Sequence, residues 1–192
     1  MNFPFEAFGI STGIVALAEI GDKTQLLAFM LAARFRRPWP IIAGIFIATI
    51  ANHACAGAIG TWLTTVIGPE TLRWVLGLSF IAMAVWMLIP DKLDEDEVTA
   101  PKLGVLATTI VAFFLAEMGD KTQIATVALA AKYDALAAVV TGTTLGMMIA
   151  NVPAVLLGNG IAQRLPVRLV HGIAATIFAA LGSAVLLGFG TT

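Results

Sequence analysis

The chain has 192 residues, 59% of them hydrophobic and 12% charged, with a formal net charge of −1 and a mean hydropathy of +0.93. That length allows one domain, and that composition excludes a soluble globular protein in favour of an all-α polytopic membrane protein. No basic patch suggests a nucleic acid partner, and the single cysteine, Cys55, excludes an intrachain disulfide or a cysteine-based metal site.

Six apolar spans follow in chain order. The first runs from about Phe5 to Ala33. No basic residue lies between Met1 and Glu6, so this run is expected to be retained as a span and not removed as a signal peptide. Arg34, Arg36 and Arg37 end it, and Pro38 and Pro40 prevent its continuation. The second span runs from about Ile41 to Ile67 and carries Asn52, His53 and Cys55; Gly68-Pro69 then signals a turn. The third runs from about Thr71 to Ile89. Pro90 and the acidic stretch Asp91, Asp94, Glu95, Asp96 and Glu97 leave the membrane. The fourth runs from about Leu103 to Ala131, the fifth from Leu136 to Gly158 with a kink expected at Pro153, and the sixth from Val167 to Phe189. The first and fourth exceed the roughly 20 residues a bilayer needs, so tilt, or a break at Gly21 and Gly119, must absorb the excess. Trp39, Trp62, Trp74 and Trp86 read as interfacial anchors and Cys55 as a small packing residue.

One eight-residue stretch occurs twice. Ala18 to Gln25 reads Ala-Glu-Ile-Gly-Asp-Lys-Thr-Gln, and Ala116 to Gln123 reads Ala-Glu-Met-Gly-Asp-Lys-Thr-Gln, at an offset of 98. Leu31 to Phe35 matches Leu129 to Tyr133 at the same offset, Gly44 matches Gly142, Asn52 matches Asn151 after a one-residue slip, and Arg73 falls opposite Arg168. The chain therefore reads as a first three-span repeat over 1–90, an acidic cytoplasmic linker over 91–102 and a second three-span repeat over 103–192. An odd number of spans makes the second copy enter the membrane in the opposite sense, as an inverted repeat.

Short-loop lysines and arginines set the orientation. Arg34, Arg36, Arg37, Lys92, Lys102, Arg164 and Arg168 fall on one side, Arg73 and Lys132 on the other. The richer side is expected to be cytoplasmic, with both termini on the non-cytoplasmic side.

A charged group at the centre of a membrane helix costs roughly 2.5–3.5 kcal/mol, so the six in the two motifs must pair with one another, with water or with an ion. On a continuous helix Glu19 and Asp22, three apart, share one face. Lys23 reaches Glu19 or the aspartate of the other repeat, and Gly21 lets another backbone approach. Glu117, Gly119, Asp120 and Lys121 supply the mirror set. The candidate metal ligands are Glu19, Asp22, Thr24, Gln25, Asn52, Glu117, Asp120, Thr122, Gln123 and Asn151, with Lys23 and Lys121 as ion-pairing or coupling groups. Four carboxylates and two lysines leave a charge of −2, which one divalent cation neutralises. Oxygen donors suit Mn²⁺, Ca²⁺ or Mg²⁺, and the reluctance of Mg²⁺ to dehydrate favours the first two. Clustered buried carboxylates resist ionisation, so an empty site takes up protons that an arriving cation displaces. This is a route to antiport. The rival reading of the motifs is a structural ion-pair lock between spans. His53 reads as a core histidine bonded to a neighbour, with a proton-relay role as its rival. Asn52 and Asn151 are read with an interhelical hydrogen bond as the rival to ligation.

The two Glu-x-Gly-Asp-Lys-Thr copies resemble the signature of the transmembrane protein 165 family, grouped with the lysine-exporter superfamily. The likeness covers the whole chain, one signature per half. It implies a six-span transporter of Mn²⁺ or Ca²⁺ exchanging cation for protons, with bacterial members resembling manganese exporters of the inner membrane. By that resemblance Glu19, Asp22, Lys23, Thr24, Glu117, Asp120, Lys121 and Thr122 are the functional positions. No resident cofactor is implied, the partners are the bilayer and the cation, and a homo-oligomer is left open. Export of an organic cation or basic amino acid is the alternative. Enzyme motifs are missing: no His-Glu-x-x-His, no Gly-x-Ser-x-Gly, and only His53 and His171 as histidines.

Overall fold

The computed structural model describes residues 4–89, 104–157 and 167–188. The acidic linker over 91–102, with Lys92 and Lys102, and also Arg164, lie outside the described residues. Among the described residues every regular element is a helix: α1 (Phe5–Glu19), α2 (Lys23–Phe35), α3 (Pro38–Val66), α4 (Pro69–Trp86), α5 (Val105–Glu117), α6 (Lys121–Tyr133), α7 (Leu136–Leu157) and α8 (Val167–Leu186). Pro38 and Pro69 open α3 and α4, where a missing N–H costs no helical bond. α7 continues as one helix through Pro153. By length and composition α3, α7 and α8 are long and apolar enough to cross a membrane, and α5 is a shorter apolar helix.

The first and fourth apolar runs are not continuous helices. Each is two helices parted at a glycine, so Glu19 and Asp22 do not share a helical face as a continuous helix would place them. Gly21 has φ +84° and Gly119 φ +78°, the left-handed region, which ends the i→i−4 ladder. Tilt and a break would both absorb the excess length; the structure has the break. The same local chemistry closes both. The Asp22 N–H donates to the Glu19 carbonyl at 3.1 Å, and the Asp120 N–H to the Glu117 carbonyl at 3.2 Å. Four residues past each glycine, a glutamine reaches back: Gln25 Oε1 accepts from the Gly21 N–H at 2.9 Å, and Gln123 Oε1 from the Gly119 N–H at 2.7 Å. The ends of α2 and α6 also match. Arg36 (φ 52°) and Asp134 (φ 45°), 98 positions apart, turn left-handed and donate to the Ala32 and Ala130 carbonyls at 3.0 Å each.

Packing exchanges partners between the halves. α1 and α2 lie on α7, α5 and α6 lie on α3, and α4 lies along α8. The close approach of α1 to α7 needs Gly142, where a Cβ would lie 2.6 Å from the Phe8 carbonyl oxygen; at the matching Gly44 it would lie 2.6 Å from Thr109 Cβ of α5. Two buried apolar clusters result. One joins Ile14, Phe80, Met83, Leu129, Val139 and Phe178; the other joins Val15, Leu27, Ile41, Ile45, Phe113 and Met147. The outer surface is apolar too, with Phe46, Leu115 and Leu169 exposed, as a lipid-facing surface is. Trp39, Trp62 and Trp74 are exposed, and Trp86 is half-buried. Cys55 is also exposed, because α3 turns Asn52, His53 and Ala56 inward and leaves Cys55 outside; it is not a packing residue.

Candidate metal centre at the paired helix breaks

Each break ends one helix on a glutamate and starts the next after an aspartate. The four-residue turn thereby places two carboxylates beside the positive end of a half-helix, where negative charge is favoured. Asp22 caps α2 and Asp120 caps α6, the latter through Oδ1 accepting from the Lys121 N–H at 2.7 Å.

Three of the four motif carboxylates converge. One oxygen each from Glu19, Asp22 and Asp120 lies within 4.8 Å of the others. The residues are 0%, 2% and 4% exposed, so this is an interior cluster, not a solvated acidic patch. A cation binding oxygen at 2.3–2.6 Å spans at most about 5 Å between opposite ligands, so the three oxygens already stand at coordinating separation. Two come from the first half and one from the second. The Thr24 hydroxyl donates to Glu19 Oε2, while Glu19 Oε1, equally buried, has no hydrogen-bond partner among the described residues. A buried carboxylate oxygen left open in this way is a ready ligand atom for a hard cation. Lys121 crosses from the second half to pair with Asp22, Nζ to Oδ1 at 3.2 Å. Lys23 is half-buried and makes no ion pair within 4 Å of a described residue.

Glu117 keeps different company. It is fully buried, and its Oε1 lies 3.1 Å from His53 Nε2. The hydroxyls of Thr49 and Thr122 donate to it at 3.4 and 3.5 Å. It is still close enough to act electrostatically on Glu19, as Asp120 does. Both glutamates thus face the protein interior and each other's neighbourhood, not lipid.

The amides mostly serve the scaffold. Gln25 Nε2 donates to the Ala150 carbonyl at 3.0 Å. Gln123 Nε2 donates to Asn52 Oδ1 at 3.2 Å, and Asn52 Nδ2 to the Phe114 carbonyl at 3.0 Å. Asn151 Nδ2 donates to the Met147 carbonyl at 3.1 Å, and its Oδ1 has no partner among the described residues. Two residues beyond the sequence reading shape the site. Thr49 sits one turn before His53 on the same face of α3, a spacing that could have marked it. His171 Nε2 lies 2.8 Å from the Ile20 carbonyl at the first break, a pairing 151 positions apart that no local pattern announces.

Buried carboxylates on two broken helices, tied by a lysine and set in an apolar helical chain, define a membrane cation transporter. Comparison with known proteins makes this specific. The chain matches the family described as "Divalent cation/proton antiporter GDT1" over residues 7–95 and 105–191, and it belongs to that family. The family consists of transporters, not enzymes. A Vibrio cholerae protein named "Putative manganese exporter" is 54% identical over 170 residues, covering 88% of this chain and 84% of the relative. A GDT1-like protein of Synechocystis is 30% identical over 192 residues, covering 90% and 92%. A rice relative, GDT1-like protein 4, is 27% identical over 212 residues, covering 96% and 72%. No solved structure matches the chain.

Proposed function

We propose that the chain is a six-span, inverted-repeat antiporter of the inner membrane that exports Mn²⁺, with Ca²⁺ as the second candidate, in exchange for protons. The observation that carries this reading is the three-carboxylate cluster, drawn from both halves and holding a buried oxygen open. Glu19, Asp22 and Asp120 are its ligands, with Asn151 Oδ1 as the one candidate amide oxygen without a described partner. Thr24 orients Glu19, and Lys121 holds Asp22 and offsets charge when the cation is absent. Gln25, Gln123 and Asn52 hold the breaks. Glu117 with His53 is the proton-accepting pair beside the cation. All-oxygen ligation without thiolate selects hard cations, and the relative named for manganese export favours Mn²⁺ among them. Manganese is the cargo, not a resident cofactor.

The six spans are α1–α2, α3, α4, α5–α6, α7 and α8, each broken pair crossing once. The matched left-handed ends at Arg36 and Asp134, and the exchange of packing partners, support a duplicated unit. The excess of arginine around Arg34, Arg36, Arg37 and Arg168 assigns that side to the cytoplasm and both termini to the other. Export of a basic amino acid is the weaker reading, since the substrate carboxylate needs a buried cation: Lys121 already contacts Asp22, and Lys23, which has no described ion pair, is only half-buried.

Flux in proteoliposomes tests this. Mn²⁺ movement should accelerate under an imposed proton gradient, exceed Mg²⁺ movement and be indifferent to excess lysine. Flux unaffected by the gradient removes proton coupling; competition by lysine returns the amino-acid reading.

A further inference from the structure

The two breaks are chemically alike yet covered differently. Over the first stands the opening turn of α8. The place a Cβ would take on Gly21 is filled by Val167, whose Cγ2 is 2.8 Å away, and His171 Nε2 holds the Ile20 carbonyl at 2.8 Å. Over the second no described residue stands: among the described residues no atom lies within 4 Å of the Cβ position on Gly119, and Met118 is 55% exposed.

The repeat register says what ought to stand there. Aligning Arg73 with Arg168 puts Leu72 and Leu76 of α4 where the second half has Val167 and His171. Those leucines lie elsewhere, against the first apolar cluster and along a cavity of about 590 Å³ shared with Arg73, Ala131 and Lys132. The helix contacts differ in the same sense. α8 packs along α1, ahead of the first break, whereas α4 packs along α6, beyond the second. Meanwhile α4 and α8 are bound to each other: Phe80 stacks on Phe178 with ring centroids 6.2 Å apart, and a Cβ on Gly182 would lie 2.8 Å from the Gly77 carbonyl oxygen.

We infer that α4 and α8 form one rocking pair that seals a single break at a time: Val167 and His171 over Gly21 and Ile20 here, Leu72 and Leu76 over Gly119 and Met118 in the alternate state. The inference rests on the antiport reading and names the side chains through which access alternates. With α8 beginning on the arginine-rich side, the conformation described here is closed to the cytoplasm. The four residues are positioning residues; none touches the cation. A site that must open alternately needs seals that close alternately, and two copies of one unit supply both in different states.

Paired cysteines test this in a Cys55→Ser parent reconstituted in liposomes. Ile20→Cys with His171→Cys should cross-link through a short cleavable thiol reagent, and so should Leu76→Cys with Met118→Cys. Each cross-link should stop Mn²⁺ flux, and cleavage should restore it. In the second pair's background, His171→Leu should raise cross-linking about fivefold, the shift expected from one lost hydrogen bond. His171→Gln, which keeps a donor for Ile20, should leave it unchanged. Failure of the Leu76/Met118 pair to cross-link in a chain that transports Mn²⁺ overturns the inference, as does normal flux with Ile20 and His171 joined. Flux in the Cys55→Ser parent reports separately on the antiport reading, since two state-dependent cross-links in a chain that moves no Mn²⁺ would uphold the rocking pair and sink the cargo.

Discussion

The break at Gly21 and the break at Gly119 carry the same motif, yet their glutamates end in different surroundings. Glu19 faces Thr24 and the carboxylates of Asp22 and Asp120, with one oxygen open. Glu117 faces His53, Thr49 and Thr122. The difference comes from the helices packed against the breaks. α3, beside the second break, offers Thr49 and His53; the equivalent positions on α7, beside the first, are Met148 and Val152. A duplicated motif therefore need not have a duplicated role. The partner helix decides whether a buried glutamate is left open to a cation or held by a histidine.

Four experiments would break or sharpen this comparison. The largest effect is expected at the lysines. Lys121→Met strips Asp22 of a buried partner and should cost about 3–5 kcal/mol of stability, whereas Lys23→Met, at a half-buried position without a described ion pair, should cost far less. Thermal unfolding in detergent reads both, and equal losses would deny the asymmetry. Next come the carboxylates. Glu19→Gln, Asp22→Asn and Asp120→Asn should each weaken Mn²⁺ binding by more than about 100-fold, since even residues behind metal ligands are worth 10–100-fold. Glu117→Gln should spare Mn²⁺ binding but remove the response of flux to a proton gradient. Mn²⁺ titration beside gradient-driven flux separates the two. His53→Ala should follow, at about 1–3 kcal/mol, because Glu117 Oε1 loses a buried partner; Val152→Ala, at the equivalent position on α7, should cost under about 1.5 kcal/mol. The smallest is Gly119→Ala, at about 1–2 kcal/mol for a left-handed backbone. Gly21→Ala should exceed it, because Val167 fills the space at the first break and no described residue does so at the second.

Much of this was legible in the residues. Helical class, the duplication and the buried acidic pairs follow from composition and from a motif repeated at an offset of 98. The signature also carried the family, since charges too costly to leave unpaired in lipid must have a use. The break at glycine was one of two readings of the excess length. Less was legible of the partners. Gln25 and Gln123 looked like ligands, but a glutamine four residues past a left-handed glycine can close the broken ladder, and both do. His171 carries no local signal, because its contact lies 151 positions away, and Thr49 is marked only by its spacing from His53, its contact with Glu117 lying 68 positions away.

Charge, hydropathy and repetition are properties of the chain itself, so the sequence alone determined a helical membrane protein with the same acidic motif in each half. Which carboxylates meet, which is held by His53 and which break is covered depend on how helices from opposite halves pack. Those contacts join residues 64, 99 and 151 positions apart, which no local pattern encodes, so only the tertiary structure decided those points.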